Sequence, residues 1–305
     1  MRFLGVWKSC RMNQQESFIQ YLRFEKRRSA HTSVAYENDI NQFVRFANEQ
    51  SEGFELIHTD RKMVREWVVS LMENKLSPRS VHRKVSSLHA LFKYLMKMEV
   101  ITVNPVHDIP QPKIRKKLPY FVEEKSLHHL LDDGFFPHDF RGERDKIAIA
   151  LLYGTGVRLN ELITLRIGDI DLDQFQIKVT GKRNKQRIIP FSRSLRPEIE
   201  QYLEVRKITF PESGNTFLLT DKGEPAYGKL VYRIVREYLA MVTSLEKKSP
   251  HVLRHTFATH LLNKGADLNA VKELLGHANL SATEIYTHTT FEKLHNIYQQ
   301  AHPRG

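Results

Sequence analysis

Residues 249–288 read SPHVLRHTFATHLLNKGADLNAVKELLGHANLSATEIYTH. In Pro250-His251-Val-Leu-Arg254-His255, the i, i+3 pair His251 and Arg254 shares one helical face and can grip a single oxyanion. His251 and His255 also have the i, i+4 spacing of helical zinc sites. However, the glutamate of HExxH is missing and no third ligand is evident, so zinc is not expected. Further on, Leu274-Leu-Gly276-His277 and Tyr286 are separated by a short polar loop, which can place both side chains at one site. A single histidine or tyrosine in such a setting is usually structural; the interest lies in the combination.

Two clusters upstream have the same character. Gly154-Thr-Gly156-Val-Arg158-Leu-Asn-Glu161-Leu162 lacks the third glycine of a dinucleotide loop and any GK[ST], so it does not read as a nucleotide site. As a turn before a helix it presents Arg158 near a helix start, where an anion is welcome. Glu161, one turn on, can orient a neighbouring basic group. Gln176 to Thr180 and Gln186 to Pro190 alternate well enough to pair as a hairpin, with Gly181-Lys182-Arg183-Asn184 as its turn. A cationic hairpin tip is ordinary, yet it can set a lysine beside a phosphate. Just before the first of these clusters, Arg144 to Tyr153 predicts a buried helix, and helices with loops near 211–214 and 221–226 follow from Leu195.

The chain's first part reads as helices. Tyr36, Ile40, Phe43 and Ala47 follow one helical face, with Thr32 or Ser33 as the cap. A second helix begins after Asp60 and carries Val64, Trp67, Val68 and Leu71. Ser77 then caps a helix that starts at Pro78 and lines up Val81, Val85, Leu88, Leu91 and Leu95. Arg79, His82 and Arg83 lie outside that stripe. A solvated face is the simpler account of any one of them, and a phosphate-tracking face is the functional one. Residues 105–119 hold four prolines and the run Lys113-Ile-Arg115-Lys116-Lys117, which predicts a basic linker able to lie along a DNA backbone. The expected organisation is a helical domain at 12–104, this linker at 105–119, and a second domain at 120–305. The fold class is mainly α with a small β-hairpin.

Composition narrows the partners. The 305 residues carry 47 Lys and Arg against 35 Asp and Glu, a formal net charge of +12, which suits a polyanion. No apolar run approaches the ~18 residues of a membrane span, and no basic anchor helix or lipidation signal points to a membrane surface. Met1 to Met12 has too short an apolar stretch for a signal peptide, and a start at Met12 is an alternative reading. Cys10 is the single cysteine, so an intrachain disulfide or a cysteine-based zinc site is excluded and a reducing cytoplasm is the expected setting.

Taken in order, the four clusters resemble the tyrosine recombinase family, most closely its Xer branch. The family signature is an arginine in TGxRxxEL, a lysine on a β-hairpin, HxxR, a His or Trp after LLG, and a tyrosine nine residues later. Here these fall on Arg158, Lys182, His251 with Arg254, His277, and Tyr286. The likeness extends over nearly the whole chain. It implies a SAM-like core-binding domain and a C-terminal catalytic domain closing on DNA as a C-shaped clamp. From their charge on the helix face, the linker and the hairpin tip, Arg79, His82, Arg83, Lys113, Arg115, Lys116, Lys117 and Arg183 are the candidate DNA contacts.

The chemistry agrees with the resemblance. Phosphodiester transfer builds negative charge on non-bridging oxygens, which fixed guanidinium groups meet with paired hydrogen bonds. Arg158 and Arg254 are expected to form that clamp, with His277 as a further donor. The Tyr286 phenol must lose its proton as it attacks, and His251 is the expected acceptor. Lys182 is the expected acid for the leaving 5′-oxygen. The scheme needs no cofactor, neither ATP nor metal.

The resemblance further implies four protomers around a four-way junction, with a second Xer-type recombinase and a septal DNA translocase as partners. Leu294, Ile297, Tyr298 and Ala301 make an apolar face on a short terminal helix. Periodicity leaves open whether that face packs within the chain; the resemblance implies docking on the neighbouring protomer. Chromosome-dimer resolution is the expected task. The alternative is an integrase of a mobile element, with the same chemistry and a different target.

Overall fold

Four short polar side chains set the helix starts of the N-terminal part. Asn13, Ser29, Asp60 and Ser77 each accept a backbone N–H of the first turn that follows, a contribution of about 1 kcal/mol apiece. In the computed structural model, which describes residues 13–114, 120–132, 134–181, 185–276, 298 and 300–302, these caps begin α1 (Gln14–Gln20), α2 (Ala30–Gln50), α3 (Arg61–Glu73) and α4 (Pro78–Lys97). The cap of α2 is Ser29, three residues before Thr32, whose amide it accepts. Thr32 and Ser33 therefore lie inside the first turn rather than before it.

The apolar stripes meet as their spacing requires. Phe18, Phe43, Trp67, Leu88 and Leu91 are fully buried, and the Trp67 ring stands edge-on to Phe43 at 5.2 Å. Under this layer Lys84 is buried and paired with the buried Asp39. Val106 and Ile109 join the same core, and His82 Nε2 lies 2.8 Å from the Pro112 carbonyl oxygen. The first half of the proline-rich segment is thus packed on the N-terminal unit. The chain divides into compact units between Lys117 and Leu118.

The second unit contains α5 (Glu124–Asp132), α6 (Phe140–Thr155), α7 (Leu159–Ile163), β1 (Ile170–Asp171), β2 (Gln176–Thr180), β3 (Gln186–Pro190), α8 (Leu195–Thr209), α9 (Gly228–Val242), α10 (Pro250–Asn263) and α11 (Leu268–Leu275). Helix α6 carries Arg144, Asp145 and Lys146 in its second turn, and from Ile147 onward residues 147–155 are all buried. It packs against α8, α9 and α10, as a segment buried on all sides must. The antiparallel sheet runs β1-β2-β3. Val179 pairs with Arg187 and Ile177 with Ile189, so these four side chains share one face, the buried one.

Tyr298 and Ala301 are buried in this unit's own core. The Tyr298 hydroxyl donates to the Gly154 carbonyl at 2.6 Å, and its ring stacks on His302 at 4.8 Å. At these two positions the terminal face is buried within the chain, where the end of α6 offers a carbonyl and the unit's own core an aromatic surface. Leu294 and Ile297 lie outside the described residues. Among the described residues no helix is long and apolar enough to cross a membrane.

Candidate active site

The site is built where two helices end. Helix α6 stops at Gly156, which turns left-handed at φ 62°. A side chain there would put Cβ 2.5 Å from Cδ1 of Phe257, so the turn requires glycine. Helix α11 stops in the same way at Gly276, also at φ 62°. The last carbonyls of a helix have no intrahelical donor and carry the negative end of its dipole. Three arginines supply the donors here.

Arg254, on α10, donates to the carbonyls of Gly156 and Leu275, each at 2.5 Å. Arg158 caps α7 and donates through Nη2 to the Gly276 carbonyl at 2.9 Å. Arg187, on β3, donates through Nε to the Leu274 carbonyl at 3.0 Å. All three converge near one carboxylate. Glu161 accepts the Arg158 amide and its Nη1 at 2.8 and 2.9 Å. It also takes a two-pronged contact from Arg187 at 2.6 and 2.9 Å.

Charge and burial are in tension. Burial pushes the Glu161 carboxyl up, but hydrogen bonds from Arg187 and Arg158 outweigh it and hold the group below the usual carboxylate range. Arg254 is pushed the other way. Burial, then its neighbours Arg158 and Arg187, bring its guanidinium down to about 10, against a smaller opposing effect of Glu161. Three guanidinium groups and one carboxylate leave a cationic excess in a poorly hydrated place. The Arg158 side chain is 42% exposed and is the part of the cluster that solvent reaches most readily, whereas Arg187 and Arg254 are buried.

Of the residues expected from sequence, Arg158 and Arg254 are brought together. His251 stands exposed in the first turn of α10, three residues before Arg254. One turn on, burial and His251 hold His255 below the usual histidine range, and its Nε2 is buried with no hydrogen-bond partner among the described residues. Lys182, Arg183, His277 and Tyr286 lie outside the described residues, as do Arg115, Lys116 and Lys117. Their described neighbours border the cluster: a Cβ on Gly181 would be 3.4 Å from Glu161 Oε1, and one on Gly276 3.2 Å from the Arg187 side chain.

On the N-terminal unit Arg79 and Lys113 are exposed. Arg83 is half-exposed and ion-paired with Asp39, and His82 is engaged by its own chain. Arg187 was not singled out from sequence as a site residue. The signal was available: in the hairpin alternation it occupies an inward position in phase with Ile189. Among the described residues, no group of three His, Cys, Asp or Glu side chains is disposed to hold a metal ion.

Comparison with known proteins places the chain in a family. Residues 121–293 match the phage integrase family and residues 16–99 match the phage integrase N-terminal SAM-like domain. The tyrosine recombinase XerC of Chlorobaculum tepidum is 37% identical over 315 residues, covering 94% of each chain. That of Staphylococcus epidermidis is 38% identical over 292 residues, covering 95% of this chain and 97% of the other. Among solved structures, the XerH site-specific recombinase bound to its difH substrate superimposes with a TM-score of 0.67 at 25% identity, over 93% of this chain and 84% of the other. The Tn1549 transposon integrase in complex with circular intermediate DNA reaches 0.68 at 22% identity, over 92% and 98%, and shares the fold.

Proposed function

The chain belongs to the phage integrase family, and from that premise we propose how its residues divide the work of site-specific DNA recombination. It is a tyrosine-type site-specific DNA recombinase. The unit at 12–104 grips the core of the recombination site, 105–119 connects, and 120–305 carries the chemistry. The observation that supports the roles is the convergence of Arg158 and Arg254 on the ends of α6 and α11, beside Gly181 and Gly276, which precede Lys182 and His277.

In this reading Arg158, Arg254 and His277 hold the non-bridging oxygens of the scissile phosphate. The Tyr286 oxygen attacks phosphorus while its proton passes to His251. The bond to the 5′-oxygen breaks and that oxygen takes a proton from Lys182, leaving a 3′-phosphotyrosyl link and a free 5′-hydroxyl. Attack by a 5′-hydroxyl of the partner duplex reverses the step and exchanges the strand. The phosphotyrosyl bond conserves the backbone's energy, so the scheme calls for no external energy source. Donors already fixed on carbonyls need not reorganise as charge develops on the phosphate.

The Xer relatives match over 94–95% of this chain, which favours resolution of chromosome dimers over integration of a mobile element. The setting in that case is the cytoplasm, with four protomers on DNA, a second recombinase of the same kind and a septal translocase. The test is covalent capture on the source organism's genomic DNA in the presence of a chelator. Protein-linked ends should map to one or two sites with the native chain and be absent with Tyr286→Phe, which still binds DNA. An adduct in that variant removes Tyr286 from the role of nucleophile.

A further inference from the structure

We propose that Arg187 is a positioning residue of this active site, resting on the recombinase reading above, and that it acts on the scissile phosphate through Glu161 and Arg158. Its contacts are those of an organiser rather than a ligand. The side chain is 7% exposed, and all three of its nitrogens are engaged: Nε by the Leu274 carbonyl, Nη1 and Nη2 by the two oxygens of Glu161. Arg158, by contrast, shares Glu161 but keeps much of its side chain in solvent.

Three separate segments meet on this one guanidinium. It sits on β3, five positions after Lys182 in sequence, and strand pairing with Val179 aims it inward. It fixes Glu161, which orients both the amide and the side chain of Arg158. It holds the last turn of α11 at Leu274, and its stem lies against Gly276, the residue before His277. A planar fork can satisfy a carboxylate edge and a carbonyl together; an ammonium group at the same place cannot. Loss of the fork frees Glu161 and Leu274 to shift relative to one another, and a displacement of about 1 Å at a phosphate clamp lowers turnover on the order of 100-fold.

The experiment measures two quantities on the intact chain with sheared genomic DNA of the source organism: total DNA affinity, and the rate of covalent adduct formation in a single turnover. Arg187→Gln and Arg187→Lys should bind within about threefold of the native chain yet form adduct on the order of 100-fold more slowly. Arg187→Lys retains the buried charge and carries the test if Arg187→Gln does not fold. Val179→Ala, the cross-strand neighbour on the same buried face, serves as the stability control and should form adduct at close to the native rate.

Coupling gives a second readout. Glu161→Gln combined with Arg187→Gln should be no slower than the worse single variant, because the two act as a unit. The proposal is overturned if Arg187→Lys reaches the native rate, if Val179→Ala with an equal loss of thermal stability is equally slow, or if the two defects multiply. Absence of adduct with the native chain itself would instead overturn the recombinase reading on which the proposal rests.

Discussion

Two glycines two positions apart should respond oppositely to alanine. Gly154 lies inside α6, and an added Cβ would meet only Leu195 Cδ2 at 3.6 Å, an ordinary contact. Helical glycine is less favourable than alanine by about 0.5 to 1 kcal/mol, so Gly154→Ala should stabilise the catalytic unit by that amount. Gly156 sits at φ 62°, and its Cβ would come within 2.5 and 2.8 Å of Phe257 and 3.1 Å of Leu275. A left-handed non-glycine residue costs about 1–2 kcal/mol and overpacking about 1–3 kcal/mol more, giving roughly 2–5 kcal/mol for Gly156→Ala. In a unit of this size each kcal/mol moves the melting point by about 2–4 °C, so the melting point should fall by on the order of 10 °C. The displaced turn also carries the Gly156 carbonyl that Arg254 donates to, so adduct formation should fall beyond what stability explains. Differential scanning calorimetry of the two variants, followed by adduct assays well below both transitions, checks this. If Gly156→Ala loses no more stability than Gly154→Ala, the left-handed cap and its contact with Phe257 are not what holds the two helix ends together.

Glu161 gives a pH signature. Its carboxyl is held below the usual range in the fold, so its stabilising effect is present above an unfolded value of about 4.3 and is lost as pH falls through the lower folded value. The gap in urea midpoint between the native chain and Glu161→Gln should therefore narrow as pH drops from about 7 towards about 3; a constant gap refutes the assignment. Asp39→Ala leaves Lys84 buried without its carboxylate and should cost the N-terminal unit about 3–5 kcal/mol by chemical denaturation. Most of that loss should be recovered in Asp39→Ala with Lys84→Met, and a loss under about 1 kcal/mol in the single variant counts against the pair. Tyr298→Phe removes the donor to Gly154 and should lower stability by about 1 kcal/mol in the same assay, with no change in the oligomeric state of the free protein. A change in that state would show that Tyr298 serves a contact between protomers.

Much of the architecture could be read before any coordinates, and the parts that could not share a physical cause. Ser77, Asp60 and the hairpin strands were legible because a cap or an alternation is local: every partner lies within a few residues. The cap of α2 fell three positions early because Ser29 and Thr32 are both good acceptors, and the sequence does not say which one faces the first free amides. Val106 and Ile109 were read as linker on account of the surrounding prolines, yet two apolar side chains within reach of an open core edge are buried by it. The terminal face at Tyr298 was correctly apolar, but what covers it is a carbonyl 144 residues away in sequence. Arg158 and Arg254 stood out as phosphate ligands; their carbonyl partners on α6 and α11 did not.

Those carbonyls explain why buried arginines are tolerable here. A guanidinium taken out of water without a partner is severely penalised. In this site the partners are backbone oxygens at two helix ends, which need donors in any case and lie at the negative pole of the helix. Each group relieves the other, so the arrangement is stable without a second and third carboxylate. Additional acids would neutralise the pocket and remove its attraction for a phosphodiester. Carbonyls satisfy hydrogen bonds while contributing only partial charge, and the cationic excess survives. A guanidinium has five N–H donors, and Arg254 commits two of its nitrogens to carbonyls, leaving hydrogens for an incoming oxyanion. The contacts that terminate α6 and α11 are therefore the contacts that aim the clamp, and the site is preorganised by helix ends the fold must satisfy anyway.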